Sequence, residues 1–128
     1  MDKNLQTLEL DKVLALLAEQ TTCDDAKEAA LALRPAADPG EIALLLDQTE
    51  DAFSMLARFG APSFGGLHNV NGPLQRAAAG GCLNMTELLQ VGDTLRALRI
   101  LDDWHGHLAG TSSSLNFFFD GITVNKYL

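Results

Sequence analysis

Two stretches of this chain carry residue types at spacings that suggest chemistry. The first is Asp-Asp-Trp-His-Gly-His at 102–107. On a helix, His105 and His107 point to different faces, so the usable pairs are Asp102 with His105 and Asp103 with His107, three and four residues apart. Either pair offers two metal ligands, whereas a zinc site usually takes at least three from the protein. Histidines at the end of a helix are more simply explained by its dipole and by solvent. A small metalloenzyme built on Asp103, His105 and His107 is therefore set aside. The second stretch, Phe-Gly-Ala-Pro-Ser-Phe-Gly-Gly-Leu-His-Asn-Val-Asn-Gly at 59–72, has the glycine content of a phosphate loop. A P-loop needs a Gly-Lys-Ser/Thr ending, because backbone amides and a lysine hold the phosphates together, and a dinucleotide loop must follow a strand. Neither condition is met. Gly65, Gly66 and Gly72 read instead as positions of unusual φ in a turning connector, with Phe64 and Leu67 anchoring it to the core.

Other candidates are fainter. Cys23 and Cys82 have no base near them in sequence, and the serines at 112–114 lie in a polar break, so no nucleophile is assigned. Two cysteines are too few for a disulfide scaffold and read as reduced thiols of a cytosolic protein. Arg96 and Arg99 share a helix face, with Arg76 expected nearby. That face is either solvated and salt-bridged or a contact surface for a partner. No catalytic, cofactor-binding or metal-binding residue is assigned.

The elements that must position these residues are helical. Apolar residues Leu10, Val13, Leu14 and Leu17 predict a helix over 9–20. Thr22 or Asp24 is placed as the cap of a second helix with an Ala26, Ala29, Ala30 and Leu33 face, ended by Arg34-Pro35. Asp38-Pro39 with Glu41 opens a third. Ile42, Leu45, Leu46, Thr49, Phe53 and Leu56 form its stripe, and Gly60 stops it. Pro-Leu-Gln-Arg-Ala-Ala-Ala makes a short helix closed by Gly80-Gly81. The longest starts at Asn84 with Glu87 as the cap's return partner, and Leu88, Val91, Leu95, Leu98 and Ile100 or Leu101 face inward. Gly92 in its middle, at a cost of about 1 kcal/mol relative to Ala, suggests tight packing there.

The expected class is therefore all-α, an irregular bundle of about five helices over 1–110. Residues 111–128 form a polar break and the start of a further element. Residues 117–119 and 122–124 compete only faintly as a hairpin. The ending at Tyr127-Leu128 without a stop signal suggests a piece of a longer protein. A formal charge of −8 repels a phosphate backbone, so this segment alone is a poor nucleic-acid binder. No run approaches the roughly 18 apolar residues of a membrane span, and no signal peptide is read at the N-terminus.

The order of several short words is more specific than any of them alone. Pro62, then Phe64-Gly65-Gly66-Leu67, Arg76-Ala77, Gly80-Gly81, Glu87-Leu88-Leu89 and Asp93-Thr94-Leu95-Arg96 follow one another at set intervals, and Leu-Glu-Leu-Asp-Lys-Val opens the first long helix. Over about residues 5–101 the chain resembles the N-terminal region of MutS-like proteins that lack the mismatch-reading domain, the second bacterial MutS family, whose chains usually end in an Smr domain. It departs at His68 and Asn69, where the family often has Arg and Asp, and at Pro73, one position later than the family's proline. The resemblance implies the first part of a MutS-type helical core and lever region, joined to the rest of its own chain. It implies a homodimeric ATPase parent using ATP and Mg, with a downstream Smr nuclease or RNA-binding part. That parent would be cytoplasmic, meeting branched DNA to suppress homologous recombination or splitting collided ribosomes. The alternative is a self-contained helical module for protein–protein contacts.

Overall fold

The computed structural model describes residues 2–108 and 110–124, and within them every regular element is a helix. They are α1 (Lys3–Thr7), α2 (Leu10–Glu19), α3 (Asp24–Ala32), α4 (Pro39–Phe59), α5 (Asn71–Ala78), α6 (Met85–Gly106) and α7 (Asn116–Asp120). The all-α class is as expected. Two single-turn helices, α1 and α7, add to the five read from the sequence. Residues 117–119 are helical rather than one arm of a hairpin. The ending at Tyr127-Leu128 lies outside the described residues.

Local signals set most boundaries. The Asp38 carboxylate accepts the Glu41 amide at 2.9 Å with Pro39 in the first turn, and Gly60, at φ 76°, ends α4. Asn84 and Glu87 close a reciprocal box at the start of α6, each side chain accepting the other's backbone N–H at 2.9 Å. The α3 cap differs from expectation. Cys23 occupies it without a side-chain hydrogen bond, and Asp24 is the first helical residue. Between α1 and α2, Glu9 takes a left-handed φ of 57° that no glycine or asparagine announces. The helix α5 begins before its proline because Asn69 Oδ1 accepts the Asn71 amide at 3.1 Å. Gly72 therefore sits in a helix and not in the connector.

Helices α2 and α3 pack against each other, burying Leu14, Ala18 and Ala30. Met55, Ala97, Leu101 and Leu108 are the remaining buried apolar residues among those described. The stripes expected to face inward are largely uncovered. Leu45 is 48% exposed, Phe53 74% and Leu88 52%, and Val13, Leu17, Leu95 and Ile100 are exposed as well. Gly92 is exposed too, and an added Cβ would meet nothing within 4 Å, so no tight packing explains it here. The accessible surface is 9494 Å², against about 6,600 Å² for a compact 13.7 kDa monomer.

Candidate functional site

The glycine connector is braced on α6. Gly66 has a φ of 87°, and a Cβ there would stand 3.4 Å from the Asp93 carbonyl oxygen. Gly65 and Gly72 lie outside the left-handed region, so of the three glycines read as unusual only Gly66 is so. The His68 amide donates to Thr94 Oγ1 at 3.1 Å, while that hydroxyl donates to the Gln90 carbonyl at 2.8 Å. Asn69 reaches the other way, donating from Nδ2 to Asp25 Oδ1 on α3 at 2.9 Å. His68 and Asn69 thus join the connector to two different helices. Leu67 is half-buried, and Phe64, 44% exposed, lines an apolar cavity instead of sinking into a core.

A second brace closes α5 onto the start of α6. Arg76 pairs with Glu87 and donates from Nε to the Cys82 carbonyl at 3.3 Å. Gly81 fits beneath it, its amide donating to the Arg76 carbonyl at 2.8 Å. A Cβ on Gly81 would come within 2.7 Å of Arg76 Cγ and 2.8 Å of Arg76 O. Gly80, at φ 89°, turns the chain just before. The Arg76 side-chain hydrogen bond, followed by the Asn84 amide, holds the Glu87 carboxyl below its ordinary range. Asp93 pairs with Arg96 at 3.2 Å on an exposed turn. Arg76 therefore stands at the first turn of α6 beside Glu87, which is nine residues or about 13 Å along the axis from Arg96. Arg99, three beyond Arg96, lies farther still.

The acidic-histidine cluster has other partners. His105 Nε2 lies 3.1 Å from Asn116 Oδ1, and its ring stacks on Phe119 with centroids 4.5 Å apart. His107 Nδ1 lies 2.6 Å from the Asp103 carbonyl. No group of three His, Cys, Asp or Glu side chains among the described residues is placed to hold a metal. Cys82 is exposed, and Cys23 lines a polar recess of about 300 Å³ with His68 and Asn69.

Sequence reasoning missed Asp51. From α4 its Oδ2 accepts the Ser114 amide at 2.7 Å, the Ser114 hydroxyl at 2.5 Å and the Ser113 hydroxyl at 3.4 Å. The Ser114 hydroxyl and amide lower the Asp51 pKa below the ordinary carboxylate range. The residues read as a polar break thus tie α7 to α4. Beside this tie lies an apolar cavity of about 190 Å³, walled by Met55 and Leu56 of α4, Pro62 and Phe64 of the connector, Trp104 of α6 and Phe119 of α7.

No protein-family model matches the chain. It is similar, however, to curated proteins named endonuclease MutS2. Identity is 40% over 97 residues to the protein of Agathobacter rectalis, covering 76% of this chain and 12% of that one. It is 36% over 103 residues to that of Acetivibrio thermocellus, covering 80% and 13%. To that of Geobacillus thermodenitrificans it is 38% over 114 residues, covering 84% and 14%. The match spans about an eighth of the length of these relatives.

Proposed function

Because this chain is MutS2-like over about four-fifths of its length, we propose that it forms a non-catalytic helical segment of a MutS-type core and lever, transmitting movement between an ATPase and the parts that grip a substrate. The observation behind this reading is the surface: an excess of about 2,900 Å² over a compact monomer, with large apolar residues such as Leu45, Phe53 and Leu88 exposed on helices. Helices patterned for burial yet left uncovered belong against something larger. In this reading the braces at Gly66–Asp93 and Arg76–Gly81–Glu87 are structural, keeping α5 and the connector rigid on α6. Arg96 and Arg99, with Arg76 set apart at the start of α6, contact the rest of the assembly. Nucleotide, Mg and nuclease chemistry belong to other parts of a cytoplasmic homodimeric parent, whose substrate is branched DNA or the collided ribosome.

The test is a chimera in which residues 5–101 replace the matching segment of the Agathobacter rectalis protein. The chimera should keep the ATP turnover of that protein, and deletion of the segment should abolish it. A chimera that folds and dimerises but has lost ATP turnover overturns the reading.

A specific observation supports a second reading, a self-contained interaction module. The Asp51 hydrogen bonds to Ser113 and Ser114 draw residues beyond 110 into the packed structure. That reading requires the chain alone to unfold in one cooperative transition that is lost on removing residues 111–128.

A further inference from the structure

Along α4 the residues Ile42, Leu45, Thr49, Ala52 and Leu56 recur at spacings of three and four, the seam of a helix that pairs with another helix. Leu46 and Phe53 widen the seam on one side. In this structure the seam is largely uncovered, with only Ala52 half-buried: Ile42 is 37% exposed, Leu46 65% and Phe53 74%. Its C-terminal end runs into the apolar cavity beside Leu56, where about 190 Å³ stands between Phe64, Trp104 and Phe119. That volume suits one large apolar side chain.

Charge and area narrow the occupant. Glu41, Asp47 and Glu50 stand along the exposed part of α4, which carries no Lys or Arg until Arg58. A second copy of this chain is a poor fit. Each copy carries −8, and none of the seven helices among the described residues holds more than two Lys or Arg. The surface excess of about 2,900 Å² exceeds the roughly 800 Å² per partner of a standard interface. The relatives carry about seven-eighths of their length outside the matched segment, ample for another helix.

We propose that the α4 seam and its cavity receive a helix from another part of the MutS2-type chain. That helix has an apolar stripe at three–four spacing, Lys and Arg along its flanks, and one large side chain that drops between Phe64 and Trp104. The source of the helix rests on the function proposed above. Its chemistry rests on α4 alone, and the chimera measures the first without reading the second.

The probe is a synthetic peptide of roughly five helical turns, leucines at three–four spacing and lysines elsewhere, titrated into residues 1–128. A leucine–glutamate peptide of identical spacing is the control. Trp104 is the chain's single tryptophan and walls the cavity, so its emission reports occupancy. The lysine peptide should bind saturably at one to one and shift the emission, with the glutamate peptide at least roughly tenfold weaker. Phe53→Glu and Leu56→Asp should each weaken binding by a similar factor. Phe53 is largely exposed, so Phe53→Glu keeps the fold, which circular dichroism verifies. Equal binding of the two peptides, binding untouched by both substitutions, absence of binding, or a stable dimer of the free chain that fills the seam would each overturn the proposal.

Discussion

Protonating Asp51 takes the charge from the acceptor that holds Ser113 and Ser114, in a recess also lined by Arg58. Its folded pKa is depressed, so the stability it contributes is present above the ordinary carboxylate range and is lost as pH falls through the lower folded value. Trp104 and Phe119 lie with ring centroids 5.8 Å apart, so release of α7 changes the tryptophan's surroundings. A change in Trp104 emission is expected as the pH falls below about 4, and Asp51→Asn should show the released emission already at neutral pH. Glu87 titrates in the same direction, but it braces α5 and leaves Trp104 untouched. An emission step that survives in Asp51→Asn would rule out this origin. At this scale the sequence was a partial guide. The cap residues Asp38, Asn84 and Glu87 were legible because their partners lie within three positions. Asp51 was not, because its partners lie 62 and 63 residues away and no periodicity reports such a pairing.

Two glycines separate the demands of one element from those of its neighbours. Gly92 in α6 has open space around a prospective Cβ, whereas Gly81 has Arg76 side chain and backbone within 3 Å. Gly92→Ala is expected to stabilise the isolated chain by about 1 kcal/mol, the ordinary helix-interior gain. Gly81→Ala should destabilise it by about 1–3 kcal/mol, because backbone must yield to overpacking. Urea denaturation of both variants reads the two signs, and a loss at Gly92 would mean that another element already packs on it. The helices themselves were legible from their stripes. What covers each stripe was not, since amphipathicity shows that a face seeks burial and never names the surface that buries it. Leu45, Phe53 and Leu88 are the plainest cases: each sits on the expected face, and each remains in water.

Across the whole molecule, folding removes about half of the surface an unfolded chain of this mass exposes, less than the roughly 60% typical of a 60-residue domain. Stability must then be uneven, because local opening follows the density of buried contacts. Residues 42–47 of α4 are exposed on every face, while Met55 near its other end is buried. Backbone amides at 43–50 are therefore expected to exchange with solvent faster than those at 51–59, although one helix contains both. Mass spectrometry after deuterium labelling measures this, and uniform protection along α4 would contradict it. The Asp51–Ser114 tie also carries a consequence for the order of events. It closes a ring that holds the connector, α5 and α6, and the entropy of closing such a ring must be met before its hydrogen bonds return anything. Helices built from near neighbours form early, and a clasp between distant residues forms late. Under load applied from the C-terminal side, the same clasp is expected to part before the braces on α6 are strained, as a mechanical fuse would.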